Sequence, residues 1–177
     1  RSRIDEIRKV LDAAKHPALL MVDTISSLAC TDLRHDEWGI DVTISGSQKG
    51  MMLPPGLSFT AISDKALAAT KTAKLPRCYF SWDDMIANNA NGFFPYTPAT
   101  GLLYGLAEAI DMINEEGLEN VFIRHERLAE ATRRAVKGWG LDIQCRDPKY
   151  YSPAVTTVIM PEGHNADAFR KLVLDTF

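Results

Sequence analysis

Two short apolar runs each end on a residue that can do chemistry. Ala18-Leu19-Leu20-Met21-Val22 stops at Asp23, and Val42-Thr43-Ile44-Ser45 continues through Gly46-Ser47-Gln48 to Lys49. With both faces apolar, residues 18–22 read as a fully buried strand, the kind found in parallel sheets covered on both sides by helices. The β-α-β pattern between the two runs predicts an α/β chain with a central, mostly parallel sheet and flanking helices. Such sheets bind ligands at the carboxyl ends of their strands. Asp23 and Lys49 are therefore expected to meet on one rim.

The remaining elements follow from periodicity and punctuation. Ile4, Ile7, Val10, Leu11 and Ala14 recur at helical spacing over 4–15, and His16-Pro17 ends the pattern. Residues 57–62 read as a third strand after the Pro54-Pro55-Gly56 turn, and Ser63 as the N-cap of a short helix. Residues 71–97 read as ordered loop with a short helix at 82–90. Pro98 suits the first turn of a long helix with Leu102, Leu103, Leu106, Ala109, Ile110 and Ile113 on one face, closed by Gly117. Thr97 would be its N-cap, and such a terminus is a natural anion site. A helix over 119–138, a strand over 155–160 and a helix over 165–177 complete the reading. Residues 1–137 are assigned to a large domain and 138–177 to the start of a smaller α+β domain.

Composition narrows the class. The 177 residues are 46 % hydrophobic, with a net charge of −3 and a pI near 5.8. That suits a packed core and leaves no basic footprint for nucleic acid. No apolar run approaches the roughly 18 residues that span a bilayer, so no membrane partner is expected. Cys30, Cys78 and Cys145 are odd in number and widely spaced. A disulfide framework or zinc site is not expected, and a reducing compartment, cytoplasmic or peroxisomal, fits better. The chain starts on Arg1 rather than methionine and stops at Phe177 inside a helical pattern, so it reads as a fragment of a longer protein.

Around Lys49, Gly46 and Gly50 allow close approach of a ligand or of backbone. Ser45, Ser47 and Gln48 offer donors suited to a phosphate or to the lysine itself. The apolar strand before Lys49 predicts a partly buried amine, usable as nucleophile and base. A lysine able to form a Schiff base, with a carboxylate for a pyridinium nitrogen, is what pyridoxal 5′-phosphate asks of a protein. Asp23 could supply that charge-assisted bond, or it could be a structural hydrogen bonder at a strand end. Competing motifs are missing: there is no G-x-x-x-x-G-K-[ST], no G-x-G-x-x-G, and Gly46 stands where S-x-x-K needs a serine. His16, His35, His125 and His164 have no metal-ligand spacing.

The runs Val22-Asp23-Thr24-Ile25-Ser26-Ser27, Gly39-Ile40-Asp41-Val42, Ser45-Gly46-Ser47-Gln48-Lys49 and Pro54-Pro55-Gly56 resemble the class V, fold-type I aminotransferases. Within that family, Asp36-Glu37-Trp38-Gly39, Phe94-Pro95-Tyr96-Thr97-Pro98 and Leu102-Leu103-Tyr104-Gly105-Leu106 look closest to the serine–glyoxylate aminotransferases of the alanine/serine–glyoxylate group. The resemblance implies pyridoxal 5′-phosphate on Lys49, Asp23 on its ring nitrogen, Ile25 against the ring, and Gln48 on the phosphate of the same subunit. Thr97 would reach the phosphate of the neighbouring subunit in a homodimer. Phe94 stands where some relatives place a phosphate-binding tyrosine. The phosphate-cradling turn is expected before Arg1, and the arginine for the substrate carboxylate after Phe177. The implied reaction is L-serine plus glyoxylate to hydroxypyruvate plus glycine. Rival readings are alanine–glyoxylate transamination, a cysteine desulfurase-like lyase using Cys78 or Cys145, and a non-catalytic α/β binding module.

Overall fold

The computed structural model describes residues 1–177, which group into two compact units. One comprises residues 3–118; the other comprises residues 119–177 together with residues 1–2.

The first unit is built on a three-stranded sheet in the order β1-β2-β3, with β1 at Met21–Asp23, β2 at Val42–Gly46 and β3 at Ser58–Ile62. β1 and β2 are parallel with Asp23 opposite Ile44, and β3 returns antiparallel. β2 is the central strand and the most buried. Leu20, Val22 and Ile40 form a core against which Ile4 and Leu11 of α1 (Ile4–Ala13) pack, with Leu33 and Trp38. Of the apolar residues at helical spacing in α1, Ile7 and Val10 stay 40 % and 67 % exposed, so only part of the face the spacing selects is covered.

β1 is shorter and less enclosed than its apolar run suggests. Leu20, Val22 and Thr24 point inward, whereas Met21 is 60 % exposed. Within residues 1–177 β1 has one covered face, so the expectation of burial on both faces is not met among these residues. The helices α2 (Asp64–Thr70), α3 (Trp82–Asn89) and α4 (Thr100–Glu116) lie where the sequence pattern places them. α4 begins later than expected. Its N-cap is Ala99, without a side-chain bond, and Pro98 and Thr97 precede the helix. Thr97 is therefore not the cap.

The second unit holds most of α5 (Leu118–Gly138), the antiparallel pair β4 (Asp142–Ile143) and β5 (Val158–Ile159), and α6 (Ala166–Thr176). The strand expected over 155–160 has only two ladder residues, and its partner β4 carries too short an apolar pattern to be read from sequence. Arg133 anchors this unit. It is buried, its Nε donates to Glu130 at 3.2 Å, and its guanidinium lies 4.9 Å from the Tyr151 ring centroid. Asn165 caps α6 by accepting from the amides of Asp167 and Ala168.

Candidate functional site

The parallel pairing of β1 with β2 puts their carboxyl ends on one rim. Asp23 closes β1 there, and Lys49 follows three residues after β2 ends at Gly46. Antiparallel pairing of β2 with β3 sets Gly46 opposite Ser58, so the connecting loop 47–57 stands above the same rim.

Two clamps shape this rim. Thr24, only 1 % exposed, donates both its amide (2.7 Å) and its hydroxyl (3.0 Å) to the Ile44 carbonyl. Ser45 donates its hydroxyl back to the Thr24 carbonyl at 3.2 Å. Ser47, fully buried, fixes the loop from within. Its hydroxyl donates to Pro54 O (2.7 Å) and accepts from Leu57 N (3.2 Å). Its amide donates to Leu57 O at 3.1 Å, and its carbonyl accepts from Leu53 N at 3.0 Å. The loop is braced further by α4: a Cβ on Gly56 would stand 2.5 Å from Leu102 Cδ1, and one on Gly105 would stand 2.7 Å from Leu53 Cδ2.

These bonds correct two sequence expectations. The hydroxyls of Ser45 and Ser47 are held by the protein's own backbone and are not available to a phosphate. Lys49, moreover, is exposed rather than partly buried, because the turn after β2 lifts it clear of the apolar strand. Burial falls on Ser47 instead.

Asp23, Gln48 and Lys49 are exposed side chains at this rim, and Ile25 is half-buried beside Asp23. One carboxylate oxygen of Asp23 accepts from the Ile25 amide at 2.8 Å, which fixes the group's orientation. The other makes no bond within the chain. The amine of Lys49 and the amide of Gln48 likewise have no intrachain partner, in contrast to the fully engaged hydroxyls beside them. The rim thus offers an anion, an amide and a primary amine together. Thr97 lies before α4, exposed, beside the exposed aromatics Phe93, Phe94 and Tyr96. It belongs to the same unit but not to the strand-end rim. Tyr96 packs against Tyr79 with the rings tilted by 36° and centroids 4.9 Å apart, and its hydroxyl lies 3.5 Å from the Cys78 thiol, a contact that raises the tyrosine's pKa.

Sequence reasoning passed over Asp41. It sits at the opposite end of the sheet, just before β2, and is 4 % exposed. Its carboxylate accepts from Leu20 N (2.8 Å), Ser63 Oγ (3.1 Å) and Lys65 Nζ (3.4 Å), with Arg8 at 3.6 Å. Burial alone would push its pKa up. The Leu20 amide, the Ser63 hydroxyl and Lys65 together outweigh that and hold it below the usual carboxylate value. An aspartate in a strand-entry turn has no local pattern that marks it as such a hub.

The sequence matches the family Aminotransferase class-V over residues 2–175. The chain belongs to the class V aminotransferases, and its architecture is the α/β fold of the fold-type I enzymes. It is 52 % identical to the serine–glyoxylate aminotransferase of Hyphomicrobium methylovorum over 96 % of this chain and 42 % of that protein. It is 48 % identical to the L-aspartate–glyoxylate aminotransferase of Paracoccus denitrificans over 100 % of this chain and 45 % of that protein. Among solved structures, the ureidoglycine–glyoxylate aminotransferase of Bacillus subtilis superimposes with a TM-score of 0.87 at 27 % identity, over 99 % of this chain and 46 % of that one. The chain thus spans less than half the length of these relatives. No helix is long and apolar enough to cross a membrane.

Proposed function

We propose that the intact protein is a pyridoxal 5′-phosphate-dependent aminotransferase that uses glyoxylate as amino acceptor and L-serine as donor, giving glycine and hydroxypyruvate. The observation that carries the cofactor chemistry is the parallel register of β1 on β2, which ends on Asp23 at the end of the sheet where Lys49 follows β2. The donor and acceptor rest on the 52 % identity to the serine–glyoxylate aminotransferase of Hyphomicrobium methylovorum. Residues 1–137 would form part of the cofactor-binding domain, and 138–177 the start of the smaller one.

The side chains present fit the cofactor. Lys49 would hold it covalently through its amine. Asp23, oriented by the Ile25 amide, would accept a hydrogen bond from the ring nitrogen with the oxygen that has no partner in the chain. Ile25 would pack on the ring, and Gln48 would donate to the phosphate. When bound, the cofactor supplies an electron sink for the charge left as the donor's Cα loses its proton. Lys49, released by the incoming amino acid, would carry that proton as the positioned base. A base so placed contributes roughly 10² to 10⁴ in rate. The carboxylate of Asp23 would keep the ring nitrogen protonated throughout.

Thr97 would serve the phosphate of a second subunit. Support comes from its exposure among uncovered aromatics, including Phe80 at 78 % and Phe93 at 67 % exposed. Apolar surface of that kind marks contact areas. L-aspartate is the second reading of the donor, favoured by the 48 % identity to the Paracoccus denitrificans enzyme. Borohydride reduction of the intact protein followed by peptide mapping tests the core of the proposal. The pyridoxyl group should be found on Lys49; label on Lys65, Lys71 or Lys74 instead refutes it.

A further inference from the structure

We infer that Gly50 is a positioning residue for Lys49, acting through a backbone-to-backbone seat on the turn that follows Asp23. The inference rests on the reading of Lys49 as the cofactor-bearing lysine. Gly50 has an ordinary backbone conformation, so it is not there for a left-handed turn. It is there for space. A Cβ at this position would overlap the Leu28 carbonyl oxygen and come within 2.8 Å of Cys30 Sγ. Gly46, by contrast, would bring a Cβ against only the flexible end of Gln48, at 2.9 Å.

The seat joins the two halves of the candidate site. Leu28 and Cys30 belong to the turn 25–30 that leaves β1 directly after Asp23 and Thr24. Gly50 is the residue after Lys49. One contact therefore sets how the amine-bearing loop stands relative to the carboxylate-bearing turn, independently of the β1–β2 ladder. Both segments hold a non-glycine residue in the left-handed region beside the contact, Ala29 at φ 61° and Met52 at φ 59°. Such conformations persist where the surroundings over-determine them, and the close approach at Gly50 is that surrounding. Cys30, 4 % exposed beneath Gly50, is a built-in reporter of whether the seat is closed.

Gly50→Ala in the intact protein tests this with two readouts. In cofactor-free protein, Cys30 labelling by a thiol reagent, followed by peptide mapping, should speed up by at least about tenfold over wild type as the loop lifts. With pyridoxal 5′-phosphate added, the visible band of lysine-bound cofactor should persist, but the pH at which it titrates should move. Gly138→Ala, where a Cβ meets nothing within 4 Å, should change neither. Unchanged Cys30 labelling refutes the seat and leaves Lys49 as cofactor lysine untouched. Faster labelling with an unmoved titration reduces Gly50 to packing and refutes its positioning role. A wild-type protein with no visible band refutes both readings. If Gly50→Ala does not fold, Cys30→Val presses on the same contact from below. It should shift the titration in a folded protein, and an unshifted titration there overturns the inference.

Discussion

At the scale of single residues, the rim separates side chains that build from side chains that are offered outward. Thr24, Ser45 and Ser47 look alike in sequence to Asp23 and Gln48, being polar residues at strand ends. Burial and hydrogen bonding divide them: the three hydroxyls are bonded to backbone, while one oxygen of Asp23 is left facing out. The proposal gives Asp23 an electrostatic task, and Asp23→Asn separates it from the structural one. The amide can still accept from Ile25, so the turn and fold should survive. The variant loses the charge that holds a ring proton, a difference of roughly 3 kcal/mol that slows transamination by about two orders of magnitude. Circular dichroism should match wild type while kcat/KM falls. Near-normal turnover would leave Asp23 with the turn alone.

At the scale of elements, what was legible followed the length of the local pattern. The approximate ranges of α1, α5 and α6 and the body of α4, though not its start, came from apolar residues at 3.6-residue spacing, and Ser63 and the Pro54-Pro55-Gly56 turn punctuated correctly. That Asp23 and Lys49 lie at one end of the sheet followed from strand order; the exposure of Lys49 did not. What could not be read was set by partners far away in the chain. β4 and β5 have two ladder residues each, so pairing alone defines them. The exposure of Met21 depends on what covers its face of β1, and nothing among residues 1–177 does. The start of α4 at Thr100 depends on backbone geometry at Ala99 that no side chain announces. Asp41 is the clearest case, since it ties Leu20, Ser63, Lys65 and Arg8 from three separate segments. Its lowered pKa makes a signed prediction. Above the unfolded aspartate pKa of about 3.9, native Asp41 is charged and contributes fully. As pH falls through its lower folded value, the unfolded state binds the proton first and the contribution is lost. Asp41→Asn should therefore be destabilised by about 1 to 3 kcal/mol at neutral pH. The gap to wild type in urea unfolding should narrow steadily below about pH 4. A gap that stays constant down to pH 3 would show that Asp41 does not titrate through this network.

At the scale of the whole molecule, the exposed aromatic surface at 79–96 bears on assembly. Tyr79, Phe80, Phe93, Phe94 and Tyr96 are each at least 42 % exposed and sit beside Thr97, which has no role as a helix cap. A homodimer in which each Thr97 serves the other subunit's phosphate gives both features one explanation. A hydroxyl donating to a charged phosphate contributes roughly 1.5 to 3 kcal/mol, so Thr97→Val should weaken cofactor affinity about tenfold to a hundredfold. Covalent attachment at Lys49 should be retained, because that bond does not involve Thr97. The dimer should also persist, since the hydroxyl contributes little of the buried apolar area. Placing a charge among the aromatics, as in Phe80→Asp, should instead split the dimer and lower cofactor retention at the same time. Sedimentation equilibrium on the intact protein, with cofactor titrated by its visible band, separates the two variants. A Phe80→Asp monomer that keeps wild-type affinity would show that each site is complete within one subunit, and Thr97 would then need another task.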